Sequence, residues 1–242
     1  MFVSITVARY SKLKLVFGIL SMAIFNIYYF VFRAKRPSFY KLMGTGKNGT
    51  FDIYPDFGQW AYLSIWDTEE TKYKSEGKFV KWYISKFSKS SYTIRLNPTK
   101  SHGLWDGENP FIKDSKQTAT SNKNENQTMQ LVGVLTRASI RLSKASQFWQ
   151  NVPEVSKKML EAKGYLYSIG IGEVPFLKQS TFSIWETEAD MVNFAYKQRE
   201  HAEVIKKTKK LDWYSEELFA RFEIVKLNGD LPEKLMEIST IL

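Results

Sequence analysis

The nine residues Leu63-Ser-Ile-Trp-Asp-Thr-Glu-Glu-Thr71 return later in the chain as Phe182-Ser-Ile-Trp-Glu-Thr-Glu-Ala-Asp190. Five of the nine positions are identical, among them Ser64/Ser183 and Trp66/Trp185, and Asp67/Glu186 keeps its charge. Ahead of each copy stand two glycines one residue apart, Gly44-Thr-Gly46 and Gly170-Ile-Gly172. Two signals in the same order, in halves that otherwise differ, indicate an internal duplication. The distance between the signals is seven residues longer in the first copy, which places an extra loop there.

Each half reads in the same order. In the first, Phe2–Arg9 alternates as a strand and Leu15–Phe32 is helical; Ser38–Met43, Trp60–Trp66 and Tyr92–Leu96 are further strands. A second helix opens at Asp67-Thr-Glu-Glu70, with acids at its positive end, and continues over Lys78–Phe87. The second half gives strands over Leu131–Arg137, Tyr165–Ile171, Gln179–Trp185 and Leu218–Val225, with helices over Ser143–Glu161 and Glu188–Lys210. Strand–helix–strand–strand–helix–strand is the ferredoxin-like plan. The expected fold is therefore α+β: two ferredoxin-like repeats whose sheets pair into an α+β barrel. The expected organisation is a first repeat over 1–112, a polar linker over 113–130, a second repeat over 131–227 and a tail over 228–242. The linker contains almost nothing apolar, and residues 231–242 pattern as a short amphipathic helix.

Leu15–Phe32 is eighteen residues without a charge, bracketed by Lys12, Lys14, Arg33, Lys35 and Arg36. That length is marginal for a membrane span. The repeat argues against spanning, because a crossing helix would put Phe2–Arg9 and Phe39–Gly46 on opposite sides of a bilayer. The expectation is a helix with one face in the core and the other on lipid or a partner.

The 242-residue chain carries a formal net charge of +10, which attracts an anionic partner: nucleic acid, an acidic protein or a bilayer surface. The run Lys206-Lys-Thr-Lys-Lys210 lacks any accompanying RNA-binding signature, and no nucleic-acid partner is expected. With no cysteine in the chain, disulfides, thiolate metal sites and cysteine nucleophiles are excluded.

Histidine is confined to His102 and His201. His102 stands between Ser101 and Gly103 and reads as a solvated turn residue. His201 shares a helical stripe with Met191, Phe194, Ala195 and Ile205, so it faces inward, as a hydrogen-bonded core histidine or as an axial haem ligand. Arg137 follows an apolar run, placed to pair a propionate, to polarise bound oxygen or to end its strand at the surface. In Trp213-Tyr-Ser-Glu-Glu-Leu-Phe-Ala-Arg-Phe222, an internal ion pair between Glu216 or Glu217 and Arg221 is expected. The paired glycines lack the third glycine of a dinucleotide site and mark close backbone approach instead.

The blocks Val134-Leu-Thr-Arg-Ala-Ser-Ile-Arg141, Phe148-Trp149, Ile169-Gly-Ile-Gly-Glu-Val-Pro175, Thr181-Phe-Ser-Ile-Trp185 and Trp213–Phe222 together resemble the spheroidene monooxygenase family. Phe39–Gly46 and Gly103-Leu-Trp-Asp-Gly107 agree more loosely. The resemblance implies an O2-dependent monooxygenase forming a hydroxyl or ketone near the end of a carotenoid. It implies haem iron with His201 as proximal ligand, Arg137 as a catalytic distal or propionate partner, and a ferredoxin-type electron donor. It also implies the dimeric α+β barrel that haem dehydratases and chlorite dismutases share, a homo-oligomer, and a cytoplasmic protein held peripherally at the inner face of the membrane where polyenes reside. The alternative is a non-catalytic haem- or lipid-binding barrel.

Overall fold

A computed structural model describes residues 1–33, 36–47, 52–66, 78–112, 131–197, 212–240 and 242, apart from the side chains of 196 and 197. The strands are β1 (Phe2–Arg9), β2 (Phe39–Gly46), β3 (Pro55–Trp66), β4 (Ser90–Gly103), β5 (Val132–Ile140), β6 (Tyr165–Val174), β7 (Lys178–Trp185) and β8 (Tyr214–Gly229). They close into one barrel in the order β1-β3-β2-β6-β7-β5-β8-β4. The first repeat supplies β1–β4 and the second β5–β8. The expected α+β barrel is therefore the observed architecture.

The two half-sheets meet at two seams. Along one, β4 and β8 pair over most of their length. Along the other, β2 and β6 pair at Gly44↔Gly172 and Thr45↔Ile171, so the paired glycines lie where one repeat's backbone joins the other's. Residues of alternate parity point inward: Val3, Ile5, Val7, Leu63, Leu135, Phe182, Ala220 and Phe222 form one interior core. Outward-facing residues pack under helices that lie against the barrel wall.

Those helices are α1 (Leu15–Val31) and α2 (Lys78–Phe87) on the first repeat, and α3 (Ala145–Leu160) and α4 (Glu188–Val192) on the second. Both α1 and α3 are entered through a one-turn 3-10 segment, Lys12–Lys14 and Leu142–Lys144. Thr187 caps α4 by accepting from the Asp190 backbone N–H at 3.0 Å. The helix expected over Glu188–Lys210 begins at Glu188 but changes after one turn to a π segment over Asn193–Lys197. The tail forms α5 (Glu233–Ser239), whose Leu235 and Ile238 enter the interior core. It packs on β6 and β8 and caps that end of the barrel.

β1 and β2, the strands flanking α1, both pair with β3. In this fold α1 lies beside the sheet. Three strands run furthest beyond the expected bounds: β3 starts at Pro55, β4 continues to Gly103, and β8 spans Tyr214–Gly229. β4 passes Asn97-Pro98 through a register shift that tolerates the missing proline N–H. The helix start at Asp67, the polar linker 113–130 and His201 lie outside the described residues.

Candidate functional site

The repeated phrase does the same work twice. The indole N–H of Trp66 donates to Ser64 Oγ at 3.1 Å, and that of Trp185 donates to Ser183 Oγ at 2.9 Å. Matching register (Ser4↔Ser64 on β1–β3, Val134↔Ser183 on β5–β7) aligns the two repeats residue by residue. Tyr62 then corresponds to Thr181, Val7 to Arg137, and, through the matching 3-10 entries, Tyr29 to Met159 and Gly18 to Phe148.

In the first repeat, the space between sheet and helices is crowded with aromatics. The Tyr29 and Tyr62 hydroxyls share a hydrogen bond of 2.7 Å. Phe25 meets Tyr62 and Tyr83 edge-on. Beside Tyr62 lie spaces of about 10 and 150 Å³, and an open cleft borders Tyr29 at the far end of α1.

In the second repeat, methionine and threonine replace the two tyrosines, and a single cavity of about 370 Å³ opens. Its walls are Val134 and Thr136 from β5, Phe148, Val152 and Met159 from α3, and Phe194 from the π segment. Met191 and Phe194 are buried against it, as the inward stripe of this helix requires. Thr181, Ser180 and Gln179 add hydroxyl and amide groups. Trp213, 1% exposed, also borders the cavity, and its indole N–H has no hydrogen-bond acceptor among the described residues. A buried orphan donor costs about 1–3 kcal/mol, a cost that a ligand oxygen would offset.

His102 lies in strand β4, opposite Phe219 on β8, rather than in a turn. Its exposed ring stacks on Phe219 with centroids 5.3 Å apart, at the cavity's edge. Among the described residues, no group of three or more His, Asp or Glu side chains is placed to hold a bare metal ion. Apolar walls together with an orphan N–H suit a flat apolar ligand bearing an oxygen acceptor, such as a haem propionate or an oxygenated polyene end. His201, the expected axial ligand, follows the π segment in sequence and lies outside the described residues.

Arg137 borders this cavity too, but its guanidinium turns into the barrel with the inward face of β5 and is fully buried. It donates to Glu216, to Asp106 at 3.3 Å and to Glu173 at 3.5 Å. It is therefore not a surface residue at a strand end. Lys41 binds Asp106 and, at 3.0 Å, Glu173; Lys178 binds Asp106 at 2.8 Å. Three cations thus balance three carboxylates. The loop after β4 is held here. Trp105 Nε1 donates to Glu173 at 2.8 Å, and the backbone N–H groups of Asp106 and Gly107 donate to Glu216 at 2.8 Å each. Asp106 (φ 54°) and Gly107 (φ 87°) adopt left-handed backbone that presents both N–H groups to one carboxylate.

Burial would raise the Asp106 pKa, but hydrogen bonds from Lys178 and Lys41 outweigh it and bring the carboxyl down to about 2. Burial likewise opposes ionisation of Glu216, and the Gly107 and Asp106 N–H groups with Arg137 hold its pKa below the usual carboxylate range. The ion pair expected within Trp213–Phe222 does not form there. Glu216 faces inward to Arg137, whereas Arg221, on the opposite face of β8, pairs with Glu188.

No family model matches the chain. A spheroidene monooxygenase of Rhodobacter capsulatus is 34% identical over 212 residues, covering 85% of this chain and 85% of the relative. One of Cereibacter sphaeroides is 34% identical over 200 residues, 80% of this chain but 58% of the relative's length. One of Rubrivivax gelatinosus is 28% identical over 193 residues, covering 79% and 70%. Among solved structures, an aldoxime dehydratase in complex with butyraldoxime superposes with TM-score 0.50 and 8% identity, covering 93% of this chain and 79% of that one. A putative monooxygenase from Fusobacterium nucleatum gives TM-score 0.41 at 11% identity, covering 95% and 94%. At these identities the structural likeness describes the fold alone. By sequence, the chain belongs to the spheroidene monooxygenase family.

Proposed function

We propose that this protein is an O2-dependent monooxygenase that inserts oxygen near the end of a carotenoid, with haem bound at the second-repeat cavity and electrons drawn from a ferredoxin-type donor. The supporting observation is the 370 Å³ cavity with its orphaned Trp213 N–H, in a chain whose relatives carry the name spheroidene monooxygenase. When bound, haem supplies the redox chemistry of oxygen reduction and transfer.

The chain's own residues bind, orient and exclude water. Val134, Phe148, Val152 and Phe194 provide apolar walls that desolvate a polyene end or a macrocycle. Trp213 orients an oxygen acceptor of the ligand, and Thr181 leaves the room that Tyr62 occupies in the other repeat. His201 would hold the haem iron. Arg137 acts as a positioning residue: it anchors β5, one wall of the cavity, through Glu216, Asp106 and Glu173. The protein is assigned to the inner face of the cytoplasmic membrane, where the exposed apolar residues of α1 meet the phase that holds the substrate.

The test is turnover of a carotenoid with reduced ferredoxin and isotopically labelled O2. Label is expected in the carotenoid, in amounts that depend on haem content. A haem spectrum without incorporation would leave a non-catalytic haem protein. Neither haem nor incorporation would leave a lipid-binding barrel.

A further inference from the structure

Helix α1 is inverted. The face it turns to the barrel carries Gly18, Ser21, Phe25 and Tyr29, and two of these have polar groups satisfied inside: Ser21 Oγ donates to Gly18 O at 2.6 Å and Tyr29 bonds Tyr62. The face it turns outward carries Val16, Ile19, Leu20, Ile27, Phe30 and Val31, each between 43% and 71% exposed. Helix α3, in the matching place on the second repeat, is an internal control. Its exposed positions include Gln147, Gln150, Glu154 and Lys157, the ordinary arrangement for water. Of these two helices, α1 alone spends its solvent face on aliphatic and aromatic side chains, and an exposed apolar stripe of this kind marks an interaction surface.

Charge selects the occupant. Lys12 and Lys14 lie at one end of the stripe, Arg33 and Arg36 at the other, all exposed. A cleft of about 640 Å³ at the Arg end is lined by Asn26, Ile27, Phe30, Arg33, Arg36 and Tyr40, with Tyr29 at its inner side. It joins two guanidiniums to the edge of the apolar face, and the Arg33 guanidinium sits 5.4 Å over the Phe30 ring. Trp82 of α2, 56% exposed, adds an aromatic beside α1 through Phe87, which stacks on Phe17. Apolar stripe, cationic ends and flanking tryptophan are the features of a helix lying in a bilayer interface.

We propose that α1 docks flat on an anionic bilayer, its apolar face among the acyl chains, with the Arg33/Arg36 cleft holding a phospholipid phosphate. This rests on the membrane-surface reading above and adds the lipid class and the orientation. Because β1 and β2 both pair with β3, α1 enters and leaves on the same side of the bilayer.

The test is co-sedimentation of the full chain with vesicles of phosphatidylcholine alone or mixed with phosphatidylglycerol, read without reference to oxygenase activity. Binding is expected to the mixed vesicles, weakened by salt and released by alkaline carbonate. Arg33→Gln with Arg36→Gln should weaken binding to mixed vesicles about thirtyfold while leaving weak binding to neutral vesicles unchanged. Ile27→Asp with Phe30→Asp should abolish both, with an unaltered thermal midpoint showing that the fold survives. Equal binding to both compositions, insensitive to the arginine pair, overturns the headgroup site but leaves the membrane reading standing. No vesicle binding, with a dimer that the Ile27→Asp/Phe30→Asp variant disperses, overturns both in favour of a second copy on this face. Resistance to carbonate contradicts the flat orientation.

Discussion

The two repeats are built on one plan and put to two uses. Both fix their third strand with the same tryptophan-to-serine hydrogen bond, and both lay helices over the outward face of four strands. In the first, Tyr29 and Tyr62 meet across the gap between helix and sheet. In the second, Met159 and Thr181 occupy those positions and border a cavity. Volume is exchanged at a neighbouring pair as well: Gly18 lets the Trp60 ring approach, whereas Phe148 stands where Gly18 would be and Gln179 where Trp60 would be. In the barrel interior Arg137 stands where the first repeat has Val7, and this guanidinium centres the ion cluster that seats the loop after β4. Duplication supplied the frame; a few side-chain exchanges left one copy packed and the other hollow.

The largest effect should come from giving the second repeat the first one's interior. Arg137→Val would strand Glu216, Glu173 and Asp106 around a lost guanidinium, costing about 3–5 kcal/mol in urea unfolding. A cost below about 1 kcal/mol would mean that the cluster is not what holds the loop after β4 in place. Next, Tyr62→Thr should open a cavity in the first repeat and cost about 2–4 kcal/mol, with Tyr29 left without its hydroxyl partner. The reverse exchange, Thr181→Tyr with Met159→Tyr, should fill the second cavity at a change within about 1.5 kcal/mol. Similar losses in both directions would remove the distinction between packed and hollow. Ser183→Ala should cost about 1 kcal/mol. Ser64→Ala should cost slightly more, because Ser64 also bonds Ser4 at 3.0 Å, where the second repeat has Val134.

The smallest effect concerns acid. The folded pKa of Asp106, about 2, lies below its ordinary value of 3.8. The folded state therefore binds fewer protons than the unfolded state across that interval. The stabilisation is complete above about pH 4 and is lost as pH falls toward 2. Glu216 shifts in the same direction. Acid titration followed by Trp105 fluorescence should show the loop loosening in that window, and Asp106→Asn should flatten the transition. A transition unchanged in Asp106→Asn would assign it to other carboxylates.

Legibility from sequence followed locality. The repeated Ser-Ile-Trp phrase and the paired glycines were visible because each sits in a short strand with few alternatives; they marked the duplication, whereas closure of the barrel rested on analogy and the Gly44↔Gly172 seam was not foreseen. Strand ends were not: Asn97–Gly103 is mostly polar and stays extended against Leu218–Glu223 of β8, and Lys226–Gly229 stays extended against Tyr92–Arg95 of β4. Lys41, Asp106, Glu173 and Lys178 carried no signal, and Glu216 was expected to pair with Arg221, since nothing local tells a solvated carboxylate from one that meets a buried arginine from another strand. The one clue was Arg137 within an apolar run, where a charge on an inward parity requires partners. The cavity was likewise invisible as a cavity, yet aligning the repeats would have shown tyrosine replaced by threonine at Thr181. His102 looked like a turn residue because its neighbours are polar, although the β8 ladder makes it part of a strand.

The central claim, that the hollow repeat is the working one, is tested most directly by titrating haem into the protein and recording the absorption spectrum. The wild type should be measured beside Thr181→Tyr/Met159→Tyr and His201→Ala. A saturable Soret band that is lost in the filled-cavity variant and lost or shifted in His201→Ala is the predicted result. A band of undiminished strength in the filled-cavity variant would place the haem elsewhere, and no band in any of the three would contradict the haem mechanism.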